Sequence, residues 1–172
     1  MANLQDSGAR REFGTGAVRD IAEGKGRCDL LPLMEVADAY FNHLQGDYYN
    51  YRMLYKIAMF VRGGNTDELA MAIREFSEKA FGDYSTAIIE VSKHYEDGAS
   101  KYSERNWEKG IPLHCFIDSA VRHYLKYIRG DKDERHDRAF LWNLLGAIWT
   151  LDNHPELNDL PFGEKKEEND DY

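Results

Sequence analysis

From Leu33 onward, apolar side chains return every three or four positions in six successive stretches, with glycine, proline or polar residues between them. That spacing places them on one face of an α-helix, and a chain that repeats it has few folds open to it besides a helical bundle. Leu33, Ala37, Tyr40, Phe41 and Leu44 mark the first helix, with Pro32 where a first turn tolerates it. Leu54, Ile57, Ala58 and Val61 mark a second over Tyr51 to Arg62, stopped by Gly63-Gly64. The third spans Asp67 to Phe81 behind a capping Asn65, and the fourth runs from Ser85 to Asp97 with Gly98 as its left-handed cap. The fifth covers His114 to Arg129 on the stripe Ile117, Val121, Tyr124 and Ile128. The sixth starts near Asp133 and runs to Leu151 on Leu141, Leu144, Leu145 and Ile148. No β-branched run is long enough for a strand, so the expected fold class is all-α, a bundle of five to six helices.

Residues 1–29 show neither period and read as an irregular arm rich in glycine and arginine. Residues 30–162 form the helical domain, and 163–172, GEKKEENDDY with Gly163 first, read as a disordered acidic tail. Acidic residues number 31 against 22 basic in 172, a net charge of −9. Duplex nucleic acid is therefore not an expected partner, since affinity for it comes from basic groups neutralising phosphates. No apolar run reaches the roughly 18 residues of a membrane helix, and the N-terminus lacks a secretory h-region. Cys28 and Cys115 lie far apart and outside any C-x-x-C pair, which fits a reducing compartment. The expected location is cytoplasmic.

Two regions have the residue types for chemistry. With a helix starting at Asp133, Glu134 and Asp137 fall on the face of Leu141 and Leu144, so both carboxylates point inward. Buried acids need a metal, an arginine or backbone donors beside them, although acids also favour any helix N-terminus. Glu90 and Glu96 on the fourth helix can join them, and carboxylates converging from several helices would suit magnesium or manganese. The loop from Lys101 to Gly110 mixes cations with aromatics: Lys101, Arg105 and Lys109 can offset phosphate charge, Tyr102 or Trp107 can stack on a base, and Asn106 can bond a base edge or sugar. A Tyr and a Trp tucked over the bundle end with a charged rim is the bland alternative. Arg10, Arg11, Arg19, Lys25 and Arg27 form a second cationic set in the arm. Asp118, Arg122 and His123 sit off the fifth helix's main stripe, facing solvent or a second subunit, and His123 and His136 are candidate acids or bases. No Walker or G-x-G-x-x-G pattern is present.

The segments GARREFGTGAVRD, EGKGRCDLLP, GASKYSERNWEKGIP and DSAVRHYLKYIRGDKDERHDRAFLWNLL, taken in order, resemble a phage and prophage family described as the N-terminal domain of dATP/dGTP diphosphohydrolases. The resemblance covers the arm and roughly residues 85–150, with about 42–81 looking like an insertion. It implies a helical domain similar to the MazG-like pyrophosphohydrolases, which use clustered acids and magnesium to cut a nucleoside triphosphate into monophosphate and pyrophosphate. It also implies roles for Lys25, Gly26, Arg27 and Asp29, for Lys101, Tyr102, Asn106 and Trp107, and for Arg122, His123, Asp133, Glu134, His136, Trp142 and Asn143. MazG-like enzymes pair E-x-x-E with E-x-x-D; Glu134 and Asp137 match the second half, while Glu75 and Glu78 match the first by spacing but lie in the inserted stretch. The expected function is magnesium-dependent hydrolysis of purine (deoxy)nucleoside triphosphates in a homo-oligomer. The alternative is a non-catalytic sponge that sequesters a nucleotide immune signal in the bacterial host cytoplasm.

Overall fold

The computed structural model describes residues 8–44 and 46–163. Of the tail expected at 163–172, residues 164–172 lie outside the described residues. Six helices carry the fold: α1 Leu33–Asn42, α2 Tyr48–Gly63, α3 Thr66–Phe81, α4 Tyr84–Lys101, α5 Leu113–Arg129 and α6 His136–Asn153. Short polar side chains start three of them, with Asp47, Asn65 and Asp83 accepting from the backbone N–H of Asn50, Asp67 and Thr86. The all-α expectation holds, and most of the stripes read from the sequence form the core, although Phe41 and Leu44 of the first are exposed. Ile57, Phe60, Leu69, Phe76, Ile117, Val121, Tyr124, Leu141 and Leu144 are all essentially buried. Each such side chain contributes about 1.5–3 kcal/mol relative to exposure. Phe76 of α3 meets the Phe140 ring of α6 edge-on at 4.7 Å, so the 42–81 stretch supplies part of the same core.

α5 and α6 approach most closely at Gly146, where an added Cβ would lie 2.3 Å from a ring carbon of Phe116. Only glycine fits there. Two helix limits that bear on the cavity differ from expectation. α4 continues through Gly98 to Lys101, and the N–H of Tyr102 bonds the Gly98 carbonyl at 2.9 Å. A Cβ at Gly98 would meet nothing, because this stretch borders a cavity. α6 begins at His136 rather than Asp133, so Glu134 lies in the turn before the helix instead of on its inner face.

The arm holds the third difference. Arg10–Glu12 (β1) and Val18–Asp20 (β2) pair as an antiparallel hairpin in the register Arg10 with Asp20, Arg11 with Arg19 and Glu12 with Val18. Three-residue strands are too short for an alternating pattern to register in the sequence. The hairpin is fastened to the helical part by side chains. Asn106 accepts from the Val18 N–H at 2.9 Å and donates to the Val18 carbonyl at 2.8 Å, and Thr15 donates to the Gly110 carbonyl at 2.5 Å. Farther along, the Cys28 N–H bonds Asp118 at 2.7 Å.

Candidate functional site

The arm, α4, α5, the start of α6 and the loop after α4 enclose a cavity of about 900 Å³. Arg19 of the arm lines it. The guanidinium of Arg19 donates to the Cys115 carbonyl at 3.2 Å, to the Ser119 hydroxyl at 3.2 Å and to Asn143 Oδ1 at 3.0 Å. It lies 5.4 Å from the ring centroids of both Phe116 and Trp142. Asn143 is fixed in that orientation because its amide donates to the Ala139 carbonyl. None of these partners is a carboxylate. Burial pulls the Arg19 pKa below the usual guanidinium range, and the positive charges of Arg11 and Arg122 act in the same direction. Arg11, directly across the hairpin, also lacks a carboxylate: it donates to Cys115 Sγ at 3.0 Å, and its Nε is buried without a partner among the described residues.

Around this pair the cavity wall divides by chemistry. His94, Tyr95, Tyr102, Trp107 and Trp142 give it aromatic surface. His94 is held neutral, its pKa lowered to about 4 by burial and by the nearby arginines. Beyond Ser119 and Arg122 the wall becomes acidic and imidazole-bearing, with His123, Asp133 and Glu134. His123 and His136 face each other at 3.0 Å between their Nδ1 atoms, and His136 Nε2 bonds Asp133 Oδ1 at 2.8 Å. Burial, then His136, pushes the His123 pKa well down.

Residues 83–160 match the model of the family described as dATP/dGTP diphosphohydrolase, N-terminal. The resemblance read from the motifs holds over that segment, which contains α4 to α6 and the loop after α4. The arm with Arg11, Arg19, Lys25 and Arg27 precedes it. No curated protein and no solved structure matches the chain.

Several residues singled out in the sequence do line the cavity: Arg19, Lys25, Glu96, Tyr102, Arg105, Asn106, Trp107, Arg122, His123 and Glu134. Their contacts differ from those expected. Asn106 spends its amide on the Val18 backbone, and Trp107 packs edge-on against Trp149 at 4.8 Å. Arg122 is clasped by buried Asp118 through two hydrogen bonds of 3.0 and 2.6 Å. Asp118 and Arg122 meet the chain's own arm, through the Cys28 N–H and the Gly26 carbonyl, and His123 faces His136. Arg105 pairs with Glu108 at the rim.

The remaining residues fall outside the wall. Lys101 bonds Asp20 at 2.7 Å, which also accepts from the Tyr102 hydroxyl at 3.0 Å. Arg27 is paired with Asp29, and His136 lies behind His123. Glu90 is held by Lys93 and Arg138, which lower its pKa to about 2, and Asp137 is gripped by Arg135. Sequence reasoning gave no role in the site to Cys115, Ser119, His94 or Tyr95. The small residues Gly98 and Ala99, one turn after His94 and Tyr95, are the one local signal that this stretch borders open space.

Proposed function

We propose that this protein binds a purine (deoxy)nucleoside triphosphate in the arm-covered cavity and hydrolyses it to the monophosphate and pyrophosphate. The observation that carries this reading is Arg19: a partly buried guanidinium whose protein partners are all neutral, with a second arginine opposite. A buried charge with no counter-charge costs several kcal/mol, and an anionic ligand offsets that cost. The family match supports reading that anion as the triphosphate of a purine deoxynucleotide.

In this arrangement the triphosphate lies against Arg19 and Arg11, with Lys25 toward the mouth. The base rests on the aromatic wall of Trp142, Tyr102 and Tyr95. Fixed by Asn143, Ser119 and the Cys115 carbonyl, Arg19 needs no reorganisation as charge moves onto the departing pyrophosphate. The arm, roofing the site, keeps bulk water from competing for these bonds.

A divalent ion would supply Lewis acidity toward a phosphoryl oxygen. The carboxylate set drawn from the sequence for magnesium, Glu134, Asp137, Glu90 and Glu96, does not fit that role. Two of its four members are neutralised by Arg135, Arg138 and Lys93, and only Glu134 and Glu96 reach the cavity. The same observation favours the second reading, in which the protein holds a nucleotide without cutting it.

Incubation with dATP, dGTP and a panel of ribo- and cyclic nucleotides plus divalent cations, followed by chromatography of solution and heat-released ligand, separates these outcomes. Monophosphate with pyrophosphate is the expected result. An unaltered nucleotide released on heating makes the protein a sponge. Failure to bind any of them overturns both readings.

A further inference from the structure

We infer that His123, Glu134 and His136 form a binding site for a divalent transition ion such as manganese, iron, cobalt or zinc, and that this site prefers such an ion to magnesium. It deepens the hydrolase reading, resting on it only for the idea that the ion faces a substrate; the ion site itself stands on the three side chains.

The donor atoms are already gathered. His123 Nδ1 and His136 Nδ1 are 3.0 Å apart, and Glu134 Oε1 lies 3.6 Å from the first and 3.7 Å from the second. A four-coordinate ion with bonds of about 2.0–2.2 Å holds its ligands about 3.3–3.6 Å from one another, so only small shifts separate the three from a coordinating face. Without an ion the contact has one proton between two nitrogens, and a change of tautomer at His123 frees both for a metal. His136 is fixed for this: its side chain is 1% exposed and its Nε2 gives its proton to Asp133, leaving Nδ1 as a lone pair. Metal-binding imidazoles commonly donate their other N–H to a carboxylate in this way. Asp133 is steadied in turn by Lys126 at 2.9 Å.

Selectivity follows from the donors. Two imidazoles and one carboxylate suit first-row transition ions, whereas magnesium takes oxygen ligands in an octahedron and seldom nitrogen. Three protein ligands leave further positions open, and because His123 and Glu134 line the cavity, those positions face the space assigned to the phosphates. Asp131, Asp133 and His136 also lie close enough to share an ion, but Arg129 holds Asp131 and the His136 nitrogen on that side already serves Asp133.

The test uses the full chain, stripped with EDTA and titrated with Co²⁺ while visible absorption is followed. One equivalent should saturate d–d bands that survive a hundredfold excess of Mg²⁺ and vanish with Zn²⁺. His123→Ala and Glu134→Gln, both at the cavity surface, should each weaken binding at least tenfold while circular dichroism shows an intact helical fold. Absence of saturable bands, binding untouched by either substitution, or displacement by equimolar Mg²⁺ would overturn the inference. No nucleotide enters this assay, so its failure leaves the hydrolase reading standing, and a protein inert toward nucleotides leaves the ion site standing.

Discussion

Arg11 and Arg19 stand directly opposite one another in the arm hairpin, two like charges paired across strands with no acid between them. Opposed like charges weaken a hairpin, and here the arrangement is held because both side chains are anchored on α5 and its surroundings. The pair exchanges local stability for an unpartnered positive charge inside a cavity.

Replacing Arg19 by methionine keeps volume and removes the charge. Nucleotide and pyrophosphate affinity, measured by calorimetry, should fall about ten- to a hundredfold, the range for losing charge-assisted hydrogen bonds of about 1.5–3 kcal/mol. Millimolar pyrophosphate should raise the melting temperature of the parent protein and leave that of Arg19→Met unmoved. Equal stabilisation of both would show that the anion sits elsewhere.

Gly146→Ala should lower stability by about 1–3 kcal/mol, the usual cost of overpacking, because the new Cβ meets the Phe116 ring. Phe116 also lies under Arg19, so the ring cannot retreat without disturbing the cavity floor. Urea unfolding gives the first quantity, and nucleotide affinity should fall with it. A neutral substitution would mean that α5 and α6 sit farther apart than described.

His114 and Asp159 tie the end of the described chain to the start of α5. Asp159 accepts from the His114 backbone N–H at 2.9 Å and contacts its ring at Nδ1. That carboxylate, helped by Cys115, raises the His114 pKa from 6.5 to about 10. A raised folded-state pKa means the protonated ring stabilises fully below 6.5 and that this share is lost as pH climbs through about 10. The stability gap between the parent and Asp159→Asn, from urea unfolding, should be wide at pH 6 and shrink by pH 10. A gap constant over that range would show that the ring's charge plays no part.

The helices were legible because a stripe of period 3.6 survives any tertiary arrangement: Phe76, Tyr124 and Leu144 could be assigned to the core without knowing what they touch. Helix limits were less legible where a tertiary partner decides them. Gly98 reads as a cap by residue type, yet the helix passes through it beside a cavity. Glu90 and Asp137 looked like metal ligands because their neutralising partners, Arg138 and Arg135, belong to the same charged background as every other surface cation. Arg19 appeared among five arm cations with nothing to single it out; its role comes from Asn143, 124 positions away.

The contacts seating the arm join residues 81 to 124 positions apart, and they end on groups held in place by α4, α5, α6 and the loop after α4. Seating the hairpin closes a long loop, and the entropy of that closure is repaid only by groups that the helices hold fixed. Assembly of the cavity therefore depends on the docking of an arm that lies outside the segment matched by the family model.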